Sequence, residues 1–195
     1  MSLLKPFNKL PNLNTANVLL VENEEQFQKK LADAIVLLES NVNITVRLAR
    51  SLPLPVENAE SRPRIDLVVF IVHLDTEQSL LSTEASLKHL DSGYFLGKVC
   101  FLVTDARCGT VPYERLASIK KTAASLSSPL LMAEDKTTEG VRTAAQRVIT
   151  VLKVSAGMVP MATGLYLSTL TRCTVPTDPD WQQDLSVIHQ MTLNQ

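Results

Sequence analysis

Two stretches, IDLVVFIVHL (residues 65–74) and KVCFLVT (residues 98–104), are apolar at almost every position. Successive side chains of a strand point to opposite faces, so a strand that is apolar throughout needs a cover on both. That requirement selects a sheet sandwiched between helices. The rest of the chain supplies the parts. Further strand-like runs lie at Asn17–Val21, Asn43–Ala49 and Pro129–Ala133, the second alternating as an edge strand does. Helical stripes fall between them: Phe27, Leu31, Ala34, Ile35 and Leu38; Leu116, Ile119, Ala123 and Leu126; Val141, Ala145, Val148 and Leu152. Strands alternating with helices predict a three-layer α/β domain around a doubly wound, mostly parallel sheet.

With 195 residues, 45% of them hydrophobic, the chain is long enough for one domain with a full core. A formal net charge of −1 gives no basic face to neutralise phosphates, so direct nucleic-acid binding is not expected. The three cysteines, Cys100, Cys108 and Cys173, form no C-x-x-C pair, which speaks against a zinc site or a disulfide framework and for a reducing compartment. The first residues carry no signal-peptide core and no apolar run is long enough to span a membrane, so an intracellular, soluble protein is expected. Residues 51–64, SLPLPVENAESRPR, read as a proline-bearing surface loop. The sequence divides into a domain over residues 1–172 and a polar tail over 173–195, in which Trp181, Leu185 and Ile188 offer a short docking segment.

The first strand runs into E-N-E-E before its helix. Asn23 is positioned to cap that helix, with Gln26 completing a capping-box pattern and Glu24 and Glu25 in the first turn, where the positive end of the helix favours them. The alternative is chemical: Glu22, Glu24 and Glu25 as acidic ligands for magnesium. His73, His89 and His189 lie beside no recognisable nucleophile, and Cys100 sits inside an apolar strand, so no catalytic residue is assigned. Two apolar features remain. After the last helix come Met158, Val159, Met161, Leu165, Leu167 and Leu170, which either pack back on the sheet or dock on a partner. Tyr94, Phe95 and Leu96, between two glycines, are either a buried loop or a second docking patch.

VLLVENE resembles the opening of receiver domains of two-component signalling, and Thr104 and Lys136 stand where a receiver has its switch hydroxyl and lysine. The phospho-accepting aspartate, however, would fall on Ile71, which cannot take phosphate. SPLLMAEDKTTEGVRTAAQRV resembles the closing strand and helix of Ras-like small GTPases through Pro129, Lys136, Thr137, Gly140 and Val141. Laid over that family's phosphate loop, Glu22 and Phe27 replace its glycines, Gln28 its lysine and Lys29 its Ser/Thr, with Asn23, Glu24 and Glu25 between. Glu134 and Asp135 replace the base-contacting serine and alanine, and Arg107 the guanine-reading aspartate. A degenerate phosphate site on a Ras-like, P-loop-NTPase-like fold is the expectation.

The segments KLPNLNTANVLLV, RPRIDLVVFIVHL, YFLGKVCFLVT and AQRVITVLKVSAGMVP resemble the centromere protein M family of vertebrate kinetochore subunits, from about Met1 to Arg172. The resemblance implies a small-GTPase-like fold that neither binds nor hydrolyses nucleotide, with no cofactor and no metal. It also implies a place in the nucleus, at the centromere, within the constitutive centromere-associated network. The partners it implies are centromere proteins I, H and K. Leu165, Leu167, Leu170, Tyr94, Phe95 and Leu96 are then the candidate partner-binding residues, on a chain expected to be monomeric by itself. A switch that keeps some ligand or magnesium binding stands as the alternative.

Overall fold

The computed structural model describes residues 3–6, 9–55, 62–105, 113–160 and 162–163. Five strands, β1 (Thr15–Val21), β2 (Asn43–Ala49), β3 (Leu67–His73), β4 (Val99–Thr104) and β5 (Leu130–Met132), lie in the order β2-β1-β3-β4-β5 and pair in parallel throughout. All five overlap the strand-like runs of the sequence, with ends that differ by up to two residues. β3 and β4 are buried along their whole length, whereas β2, at the edge, is half-buried or exposed at every position without a strict alternation.

Side-chain alternation splits the core in two. Val18 and Leu20 of β1 and Val69 and Ile71 of β3 face α1 (Phe27–Leu38) and α4 (Thr138–Ser155), meeting Leu31, Ile35, Val148 and Leu152. Leu19, Val21, Val68 and Phe70 face the other way, toward α2 (Glu77–Leu87) and α3 (Tyr113–Ser125). Phe70 and Phe101 stack there with ring centroids 5.8 Å apart. The result is the expected three-layer α/β architecture of the small-GTPase-like kind.

Helix α2 has no strong apolar stripe in the sequence, for a physical reason: its buried face is made of hydroxyls, Ser79, Thr83 and Ser86. They serve the backbone. Ser79 Oγ accepts from His73 N at 3.0 Å, and Ser86 Oγ accepts from Leu52 N at 3.1 Å. Leu52 is therefore buried, so the proline-bearing stretch after β2 is pinned at its start rather than lying wholly on the surface. Residues 56–61 of that stretch, and everything beyond Thr163, fall outside the described residues.

The two ends of the sheet differ. Where strands begin, exposed apolar side chains occur: Leu10 and Leu13 before β1, Val36 and Leu37 at the end of α1, Leu96 before β4. Where strands end, carboxylates follow: Glu22, Glu24 and Glu25 after β1, Asp75 after β3, Asp105 after β4, Glu134 and Asp135 after β5. The order of strands reverses direction between β1 and β3, which in doubly wound sheets opens the ligand crevice at the carboxyl ends.

Candidate functional site

The E-N-E-E turn lies at that crevice, and its first residue does what Asn23 was expected to do. Glu22 is buried at 1% exposure, with one carboxylate oxygen accepting from Phe27 N at 3.1 Å and the other from Gln28 N at 2.8 Å. Gln26, the residue before the helix, makes no side-chain cap, and Glu25 takes a left-handed backbone, φ 61°. This local winding delays the helix to Phe27 and brings the Glu22 carboxylate beneath its first free N–H groups. An anion there meets both the orphan donors and the positive end of the helix dipole. The capping box over Asn23 and Gln26 is thus corrected: Asn23 Oδ1 is buried without a hydrogen-bond partner among the described residues.

The remaining residues of this turn and helix start scatter. Glu24 accepts from Thr76 Oγ1 at 3.4 Å, while Glu25 accepts from Arg50 Nε at 2.5 Å and lies 3.8 Å from Lys29 Nζ. The Arg50 hydrogen bond is the main reason the Glu25 carboxyl titrates below its usual range. Three glutamates with three separate destinations do not converge on one magnesium ion. Phe27 is a core residue and Lys29 is on the surface; Gln28 is buried, its Oε1 lacking a partner among the described residues.

What converges instead comes from distant parts of the chain. His73, the last residue of β3, donates from Nε2 to Glu22 Oε1 at 2.5 Å, and its Nδ1 lies 2.7 Å from Thr104 Oγ1 at the end of β4. The Thr104 hydroxyl donates to Asp105 Oδ2 at 3.1 Å, and Lys136 Nζ donates to Asp105 Oδ1 at 2.9 Å. Burial opposes a charge on His73, but the hydrogen bond to Glu22 and the negative charges of Glu22, Glu24 and Asp135 outweigh it and raise the imidazole above its ordinary value. Burial likewise pushes against ionisation of Asp105, and the Lys136 and Thr104 hydrogen bonds reverse that and lower its pKa. Glu22, His73, Thr104, Asp105 and Lys136 form one continuous polar chain across the carboxyl ends of β1, β3 and β4.

Thr104 and Lys136 were singled out by the receiver comparison, and the fold does bring them to one place. Ile71, at the phospho-acceptor position, is buried in the core, and Asp75 is exposed beyond the strand. Glu22 and His73, the centre of the network, are 51 residues apart and no local motif joins them. Cys100 is fully buried and its thiol is pushed up to about 12, which fits a core residue. Arg107, Cys108, Cys173 and His189 lie outside the described residues.

Of the candidate partner contacts, Tyr94 is corrected: it is 0% exposed, packed with Val99 and Phe101 behind the short 3-10 helix Ser92–Phe95. A side chain with no surface cannot dock. Phe95 is half-buried and lines a groove of about 350 Å³ with Leu87 of α2 and Leu126 after α3, while Leu96 stands 65% exposed beside it. Met158 packs partly on the core below α4 and Val159 is exposed. Leu165, Leu167 and Leu170 lie outside the described residues.

Fold and site together define a small-GTPase-like α/β domain whose first strand–helix turn is filled by a carboxylate of the chain itself. A model of the Centromere protein M (CENP-M) family matches residues 1–174. The chain is 62% identical to centromere protein M of Danio rerio over 179 residues, covering 91% of this chain and 96% of its relative. It is 45% identical to that of Homo sapiens over 173 residues (88% and 94%) and 40% identical to that of Xenopus laevis over 180 residues (91% and 99%). The chain belongs to the centromere protein M family.

Proposed function

We propose that the chain is a non-enzymatic structural subunit of the inner kinetochore, a pseudo-GTPase retained for its shape. In this reading it works in the nucleus within the constitutive centromere-associated network. It stabilises a subcomplex with centromere proteins I, H and K for kinetochore assembly and chromosome segregation. The observation that carries the inert part is the Glu22 carboxylate on Phe27 N and Gln28 N, because a nucleotide phosphate would need those same donors and would meet a like charge. Such a pair repels by about 4 kcal/mol at contact distance for an effective dielectric near 20. Family membership supports the kinetochore part.

Calorimetric titration of the full chain with GTP, GDP and Mg²⁺ tests inertness. No heat of binding is expected, and micromolar affinity for any of the three overturns the reading.

Docking is assigned to Phe95 and Leu96 beside the α2–α3 groove, together with Leu165, Leu167 and Leu170, all on the domain spanning residues 1–172. Residues 173–195 are assigned no role. Leu96→Glu places a charge on an exposed side chain, so the isolated protein should change in stability by no more than about 0.5 kcal/mol. Its complex with the helical-repeat partner, centromere protein I, should weaken at least about tenfold, as truncation of a buried apolar anchor does. Leu165→Glu and Leu167→Glu should behave the same way in pull-down and melting assays. If either unfolds the isolated protein, that leucine is core and not interface.

A further inference from the structure

We propose a divalent transition-metal site at the carboxyl end of the sheet, formed by His73, Asp105 and Asp135, with zinc as the ion it fits best. One ligand atom from each of these residues lies within 4.8 Å of the other two. They come from the end of β3, the end of β4 and the loop after β5, so the crevice assembles a donor set that no spacing in the sequence reveals. One nitrogen and two carboxylate oxygens suit zinc at roughly 2.0–2.2 Å, with a fourth position left for water.

The surroundings carry the assignment beyond the three side chains. Glu22, which is not one of the ligands, accepts the Nε2 hydrogen of His73 at 2.5 Å and leaves Nδ1 as the nitrogen for an ion, 2.7 Å from the Thr104 hydroxyl that itself donates to Asp105. A carboxylate behind a histidine in this way is the usual outer partner of a metal-bound imidazole, fixing its tautomer and orientation. Asn23 Oδ1 and Gln28 Oε1, on the same turn and helix start as Glu22, are buried oxygens with no donor among the described residues.

Two cations already serve the crevice: the proton between His73 Nδ1 and Thr104 Oγ1, and the Lys136 ammonium on Asp105 Oδ1. An ion of higher charge takes the place of both, releasing the Nδ1 proton to water and freeing Lys136 to solvent. Magnesium is a poor substitute because it prefers an octahedron of oxygens and keeps most of its waters. Affinity in the divalent series peaks at copper and falls at zinc, so the preference for zinc rests on tetrahedral geometry with nitrogen and oxygen donors.

The test is calorimetric titration of the full chain with Zn²⁺ and Mg²⁺, alongside the visible spectrum with Co²⁺. One zinc per chain is expected, with tetrahedral cobalt absorption and no magnesium heat. Asp135 holds no hydrogen bond or ion pair among the described residues, so Asp135→Asn should fold normally and weaken zinc at least about tenfold. Lys136→Met, which removes the competing ammonium, should tighten it. Absence of zinc uptake overturns the proposal, and so does uptake that Asp135→Asn leaves unchanged, since zinc would then sit on the cysteines or another adventitious site. Zinc binding without magnesium or nucleotide binding leaves the inert reading of the fold intact.

Discussion

Replacing Glu22 with alanine should destabilise the protein by about 3–5 kcal/mol, the usual range when one partner of a buried charge pair is removed. Three losses coincide at this one side chain. The N–H groups of Phe27 and Gln28 lose their acceptor at the start of α1, and His73 loses the carboxylate on Nε2 while remaining 6% exposed. For a chain of this size each kcal/mol moves the melting midpoint by about 2–4 °C, so a drop of about 6–20 °C is expected by calorimetry. Glu22→Gln keeps an acceptor for the helix and should cost less. A double-mutant cycle with His73→Ala should show strong coupling, because alanine at 73 removes the group that Glu22 neutralises. A loss below about 1 kcal/mol for Glu22→Ala would mean that water replaces the carboxylate without penalty and that the turn is not held from within.

The second large effect is expected where helix propensity gives the wrong sign. Gly140 lies in the first turn of α4, and alanine in a helix interior is ordinarily worth about 0.5–1 kcal/mol over glycine. Here a Cβ would stand 2.6 Å from Glu134 O, 2.7 Å from Glu134 Cβ and 2.9 Å from Thr137 Oγ1. Thr137 is the cap, accepting from Gly140 N at 3.0 Å, so the overlap displaces the cap together with the loop after β5. Gly140→Ala should therefore destabilise by about 1–3 kcal/mol in urea unfolding, the typical cost of overpacking. The same displacement should loosen Lys136 from Asp105. A stabilised variant would mean that the loop yields freely.

The strands were legible because burial on both faces leaves a signature that no polar segment imitates: IDLVVFIVHL and KVCFLVT became β3 and β4 within a residue or two. Helices α1, α3 and α4 were equally legible from their stripes. Helix α2 was not, since Ser79, Thr83 and Ser86 bury hydroxyls and a hydrophobic pattern does not register them. The cap was misplaced for a subtler reason. Asn23 has the right chemistry and spacing, but the left-handed backbone at Glu25 moves the helix start, and a carboxylate five residues before Phe27 reaches the N–H first. Glu22, His73, Thr104, Asp105 and Lys136 come together only through strand order, and strand order is written in no single window of sequence.

The contrast between the two ends of the sheet gives the subunit a direction. Exposed Leu10, Leu13, Leu37 and Leu96 lie at the end where strands begin, and the pairs Glu25–Arg50 and Asp105–Lys136 lie at the end where strands finish. Under the docking proposal a partner covers the end that carries Leu96, which leaves the exposed Glu24 and Asp75 at the opposite end facing solvent. Under that proposal the subunit would terminate the surface it joins.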